Sequence, residues 1–247
     1  MRPVATQLSN ASILELWEVG VTLSPAQRAV AMASLLEPHT NPAEVSRMPV
    51  GQRDAQIMVL RRELFGDGMD CTAECPECGV SVEFRLTLSE LLGRQQDAVP
   101  TIHVQCGDYA VTARLPTSVD LDEASQPNSE VDAQTRLLHA CITDSDLAGR
   151  KIPVEELPGD VVQTIVRTME ERDPLALLTL SLDCPDCPCQ WEAPFDIAAF
   201  LWREIQRWGA ALLSEIHMLA RAYGWSETEI LRLSTTRRRM YLDMVVD

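Results

Sequence analysis

The sequence predicts an α+β protein, mostly helical, with a small β core set between a helical N-terminal region and a long C-terminal helix that ends in a helix hairpin. Three observations in the 247 residues predict this. Two Cys-Pro-acid-Cys turns, Cys75-Pro76-Glu77-Cys78 and Cys184-Pro185-Asp186-Cys187, stand 105 residues apart. Each turn is followed by a short alternating stretch and then an apolar run. Elsewhere, above all from Ile197 onward, apolar residues recur at helical spacing.

In chain order, residues 11–20 form a first short helix. Ser24 and Pro25 supply an N-cap and a proline at the first helical position, opening a helix through Leu36. Gly51 to Phe65 carries Ile57, Val59, Leu60 and Leu64 at helical spacing, and Gly66 stops it. After the first cysteine turn, Ser81 to Leu86 alternates as a strand. Residues 101–115 read as a hairpin turning near Gly107-Asp108. Residues 120–130 are acidic and polar and read as an exposed loop. Helices follow over 131–142 and 159–172, Asp173-Pro174 breaks the second, and Leu175 to Leu182 leads as a strand into the second cysteine turn.

From Asp196, which can cap it, a long helix runs to Tyr223. Ile197, Phe200, Leu201, Ile205, Trp208, Leu212, Leu213, Ile216 and Leu219 form its apolar stripe. Gly224 ends it, Ser226 and Glu229 make a capping box for a short helix, and Ser234 caps a terminal helix with Arg237, Arg238 and Arg239. The resulting regions are 1–66, helical; 67–195, a split β core with an inserted hairpin and helices; and 196–247, helical.

The cysteine turns carry the chemistry. Two cysteines two residues apart aim both thiolates at one ion, and two such pairs complete a tetrahedral four-cysteine shell. A shift of 109 residues lays Cys75 on Cys184, Pro76 on Pro185, Cys78 on Cys187, Glu83 on Glu192, Leu86 on Phe195, Leu88 on Ile197 and Leu91 on Phe200. A zinc ribbon is built from two knuckles facing across one ion, so this duplication predicts one structural Zn2+ per chain, held by Cys75, Cys78, Cys184 and Cys187. A redox pair and separate or intermolecular sites are the competing readings. Cys71 and Cys189 are near enough to compete as ligands, whereas Cys106 and Cys141 sit in apolar stretches and read as core.

Composition narrows the function classes. The formal charge of −16 argues against nucleic acid as the main partner, since phosphate binding needs clustered cations. No apolar run is long enough to cross a bilayer, and no basic region followed by an apolar core marks a signal peptide. Free cysteines beside a zinc site fit a reducing cytoplasm. No nucleophile elbow, phosphate loop or zinc-protease motif is present, and four thiolates would leave no coordination position for an activated water. A hidden zinc hydrolase therefore ranks below an architectural metal. The C-terminal arginines keep a zinc-ribbon regulator that binds nucleic acid as the alternative reading. Trp202 and Trp208 do not share a helix face, so one packed face leaves one of them partly exposed. Trp202, Trp225, Arg237, Arg238 and Arg239 are the candidate partner-binding residues.

Several segments resemble a known family. They are Leu180-Ser-Leu-Asp-Cys-Pro-Asp-Cys187, Trp191 to Ile197, Leu201 to Glu204, His217 to Ile230 and Ser234 to Leu242. Upstream, Leu115 to Leu121 and Asp173-Pro174 fit the same pattern. Together they resemble the T4-type baseplate hub assembly chaperone family. Leu16-Trp17-Glu18 and Pro49 to Ala55 are similar to its larger members, found with phage-tail-like contractile injection systems. The resemblance implies a non-enzymatic protein that helps build a contractile tail, with baseplate, hub or spike proteins as partners. It leaves open departure after assembly and retention in the particle. The family's second knuckle ends in glycine after its last cysteine; here Pro188-Cys189 stands instead.

Overall fold

Capping and apolar spacing shape the helical start of the chain. The computed structural model describes residues 9–36, 41–97, 99, 101–126 and 133–246. Helix α1 (Asn10–Gly20) is capped by Ser9, whose side chain accepts from the Ser12 N–H. Helix α2 (Pro25–Ser34) has a capping box formed by Ser24 and Gln27. Helices α3 (Pro42–Ser46) and α4 (Val50–Phe65) follow, and α4 ends at Gly66, whose φ of +87° suits a residue without Cβ.

The β structure falls into three antiparallel sheets. Strands β1 (Gly68–Glu74) and β2 (Ser81–Thr87) pair as one hairpin, followed by the short helix α5 (Leu88–Leu92). Strands β3 (Ile102–Cys106), β4 (Tyr109–Ala113), β5 (Ile142–Leu147) and β6 (Arg150–Lys151) form the second sheet, in chain order. Helices α6 (Ser118–Ala124) and α7 (Ala133–Cys141) lie between β4 and β5 in the chain, and a 3-10 turn over Val154–Glu156 precedes α8 (Gly159–Arg172). Strands β7 (Leu178–Asp183) and β8 (Gln190–Phe195) make the third sheet. The chain ends in α9 (Ile197–Tyr223), α10 (Glu227–Leu231) and α11 (Thr235–Val246).

Two compact units result: Ser24–Ala198, and the segment up to Leu23 together with Ala199 onward. The sequence boundaries at 66/67 and 195/196 differ from this division. Helix α2 packs on α4 and α6, and α4 on α5, which joins these helices to the hairpins in one unit. The helical C-terminal unit takes α1 from the other end of the chain.

In the larger unit, α8 packs on β3 and β4. Ile102 and Val104 of β3, Val111 and Ala113 of β4, and Val161 and Ile165 of α8 are buried in one apolar cluster. The period-2 and period-4 spacings that predict strand and helix meet here.

Two expectations are corrected. The segment 120–130 is not simply an exposed loop, because α6 runs through Ala124; residues 127–130 lie outside the described ones. Thr117 and Asp120 form a capping box, and Asp120 is buried. Arg114 donates to both of its carboxylate oxygens at 2.6 and 2.7 Å, and the Thr117 N–H and hydroxyl donate at 2.8 and 2.7 Å. An acid with its charge satisfied can enter a core, so acidity alone misreads this segment. The helix expected over 131–142 ends at Cys141, and Ile142 opens β5, which pairs with β4.

A second buried polar cluster lies nearby. Arg53 donates through Nε and Nη2 to Asp54 at 2.9 and 2.7 Å and through Nη1 to Ser118 at 2.9 Å. Burial pushes the Asp54 carboxyl up to about 6 against the pull of Arg53.

In the helical unit, α9 buries Leu201, Ile205, Leu212, Ile216 and Leu219, while Leu213 at the stripe's edge is 39% exposed. Leu14, Leu212, Ile216, Leu219 and Ile230 form the core, flanked by Trp17, Trp208, Trp225 and Tyr241. Helices α1 and α9 meet through two glycine–tryptophan contacts. A Cβ on Gly20 would stand 2.4 Å from the Trp202 ring, and one on Gly209 would stand 3.0 Å from Trp17. Each helix thus offers one ring and one bare backbone position.

A Gly20→Ala substitution raises helix propensity by about 1 kcal/mol but must displace a buried indole. We expect a net loss of about 1–3 kcal/mol in urea unfolding. Asp120 supplies a pH test. Its pKa lies below the ordinary value of 3.8, because the Arg114 and Thr117 hydrogen bonds outweigh burial. Its contribution is therefore present above the ordinary carboxylate range and lost as pH falls through the depressed pKa. Acid titration of stability should fall more steeply in the native protein than in Asp120→Asn.

Candidate metal centre

The two cysteine turns are the tips of two matching hairpins. Glu74 pairs with Ser81 where β1 and β2 meet, and Asp183 with Gln190 where β7 and β8 meet. These pairs, like the turns between them, are related by the 109-residue shift. The Cys75 N–H donates to the Val80 carbonyl at 2.9 Å, and the corresponding Cys184 N–H donates to the Cys189 carbonyl at 3.0 Å. Within the first tip, the Gly79 N–H also donates to the Cys75 carbonyl at 2.9 Å, with Gly79 at φ +73°. Pro188 occupies the corresponding place in the second tip and has no N–H to give. The departure from glycine removes that one bond and leaves the closing bond in place.

These tips bring four sulfur atoms together. The Sγ atoms of Cys75, Cys78, Cys184 and Cys187 all lie within 4.8 Å of one another. Cys75 and Cys187 are 3.7 Å apart, and Cys78 and Cys184 are 3.6 Å apart. A disulfide needs about 2.05 Å. A tetrahedron with metal–sulfur bonds of about 2.3 Å has edges of about 3.8 Å. The spacing therefore suits four thiolates around one ion, and this group can hold a metal.

Backbone N–H groups tune the sulfurs. The Cys78 N–H, and then that of Glu77, lower the Cys75 thiol to about 6. Cys187 receives the Cys189 N–H, yet burial and the adjacent Cys184, Cys75 and Cys78 sulfurs push it up to about 12. Cys78 receives the Val80 N–H and is also raised. The Cys75 thiol ionises readily, and Cys78 and Cys187 then hold their protons, as expected of crowded thiols. A cation among them would reverse that order, because metal ligation favours thiolates.

The remaining cysteines stand outside this group. Cys71 is buried on β1 opposite Phe84. Cys189 follows the second turn, and its thiol is raised by burial and by the nearby Cys75. Cys141 is buried and pushed up to about 11 by desolvation, consistent with its reading as core. The N–H donors of Val80 and Cys189 were not singled out by sequence; their signal is the shared position two residues after Cys78 and Cys187.

The candidate partner-binding residues separate by burial. Trp202 is 5% exposed and lies over Gly20. Arg238 is 2% exposed; its Nε donates to Glu215 at 3.0 Å and its Nη1 to the Leu233 carbonyl at 3.1 Å. Trp225 is half-buried and stacks on Tyr223 with centroids 4.6 Å apart. Arg237 and Arg239 are exposed.

Among the described residues, no helix is long and apolar enough to cross a membrane. Comparison with known families matches residues 14–202 to the model of the T4 bacteriophage base plate protein. The match includes both cysteine turns and the strands that carry them. No curated protein and no solved structure matches.

Cobalt(II) can test the sulfur group directly. One equivalent should give the thiolate charge-transfer and visible bands of a tetrahedral four-sulfur site. Cys75→Ser or Cys184→Ser should change those bands, and Cys189→Ser should leave them as they are.

Proposed function

The chain belongs to the T4 bacteriophage base plate protein family, and from that membership we propose that it is a non-enzymatic assembly chaperone or baseplate-associated component of a phage-tail-like contractile injection system. Other baseplate components are its natural partners, and hub or spike proteins are those we propose it holds in an assembly-competent state. It acts in the cytoplasm of a bacterial or phage-infected cell, before or within the assembled particle.

The observation that carries this reading is the convergence of the four sulfurs within the matched region. We assign them one structural Zn2+ in a zinc-ribbon-like arrangement of the two hairpins. Zinc accepts four thiolates in a closed shell, which provides shape and no position for a reacting water. Structural zinc contributes about 10–16 kcal/mol in zinc-finger peptides. Here it would also close the 105 residues between Cys78 and Cys184 into a loop. By the chain-entropy measure used for disulfides, a loop of that size is worth about 4–5 kcal/mol. The protein's own residues do the rest: the paired strands hold the tips, and backbone N–H groups direct the sulfurs.

A nucleic-acid regulator has less support. Arg238 is engaged inside the C-terminal unit, leaving Arg237 and Arg239 exposed on a chain of net charge −16.

A Cys184→Ser variant should lose its zinc and show a large fall in melting temperature. The native protein should co-purify with hub or spike proteins of the same tail. Loss of zinc at an unchanged melting temperature would overturn the architectural role. Failure to associate with any component of the assembling baseplate would overturn the chaperone reading.

A further inference from the structure

Helices α6, α7 and α8 border a cavity of about 310 Å³, the size of a small-ligand pocket. Leu121 of α6, Leu137 and Leu138 of α7, and Val166 and Met169 of α8 make its apolar wall. Leu138 and Met169 also pack on the buried core beneath. At its edge Leu177 is 59% exposed.

The charged residues lining this cavity are Glu170 and Asp173, and no basic side chain among the described residues lines it. Glu170 is exposed, whereas Asp173 is 7% exposed. The Gly51 N–H donates to Asp173 Oδ2 at 2.9 Å. No donor among the described residues reaches Oδ1. Arg53, whose charge acts on Asp173, already spends its hydrogen bonds on Asp54 and Ser118. A buried carboxylate with one unbonded oxygen favours a cation with N–H groups, and aliphatic walls favour a methylene stem.

We propose that this cavity receives an arginine or lysine side chain from a segment of another baseplate protein. The stem lies against Leu137, Leu138, Val166 and Met169, and the charged head meets Asp173 and Glu170. Leu177 touches an apolar residue beside that cation. A guanidinium serves better than an ammonium, because its planar fork can reach both carboxylates. The baseplate origin of the segment rests on the function proposed above; the cation selectivity of the cavity does not.

The full chain, titrated by amide NMR, separates these claims. The probes are hexylguanidinium, 1-hexanol and hexanoate. Hexylguanidinium should shift amides around the cavity and bind about tenfold more tightly than hexanol, the ratio expected for a charged hydrogen bond. Hexanoate should bind most weakly. Glu170→Gln and Asp173→Asn should each bring hexylguanidinium towards hexanol and leave hexanol unchanged. Equal binding of hexanol and the cation, or shifts away from the cavity, would overturn the proposal. The second arm uses Leu177→p-benzoylphenylalanine, photolysed during particle assembly. A crosslink to a baseplate segment containing arginine or lysine beside an apolar residue supports the proposal. A crosslink to an acidic segment or to a second copy overturns it. Absence of the protein from assembling baseplates defeats the broader function, while the probe titration still decides the cavity.

Discussion

The meeting of two hairpin tips governs the larger unit. Between them the chain forms a four-stranded sheet and its helices, then returns to within 3.7 Å of where it left, measured from Cys75 to Cys187 sulfur. Two-stranded hairpins are marginal alone. Their exposed faces are polar apart from Pro194, and their inner faces are only half-buried along most of their length. What makes them definite is the turn chemistry at one end and, at the other, the buried Met69, Leu88, Leu178 and Ile197. These four residues again form two pairs separated by 109 positions, so sulfur cluster and apolar base repeat together.

Much of this was legible because it is local. The cap and proline at Ser24 and Pro25, and the capping pair Ser226–Glu229, state their helices within a few residues each. The 109-residue shift marks both knuckles and the strand and helix that follow each. Strand β1 was less visible, although Met69 and Cys71 alternate with exposed Asp70 and Thr72. Strand β5 was hidden for another reason. Its Thr143, Asp144, Ser145 and Asp146 carry no apolar alternation, and only pairing with β4 makes them a strand. Asp120 was misread because its partner Arg114 belongs to the segment before the helix and acidity alone suggests water. The apolar cavity requires three helices to meet, which no local spacing announces.

Three arginines of this protein are accordingly held in such polar sets. Arg53 spans Asp54 and Ser118, and Arg114 spans Asp120, so each guanidinium fixes elements that are distant in sequence or bend sharply. Arg238 does the same in the helical unit, joining α9 to the carbonyl before α11. A run of three arginines on an exposed helix suggests a surface; here the middle one is structural. Burial, more than residue type, separates the groups that hold the fold from those free to meet a partner.

The glycine–tryptophan exchange between α1 and α9 has a consequence for synthesis. Helix α1 leaves the ribosome early, but Trp202 and Gly209 follow only after the 175 residues between Leu23 and Ala199. At roughly 5–20 residues per second, that delay is about 10–35 s. Throughout it, Leu14 and Trp17 have no helix against which to dry their surface. The nascent chain is therefore open to sticky encounters at α1, and the helical unit closes only when α9 emerges.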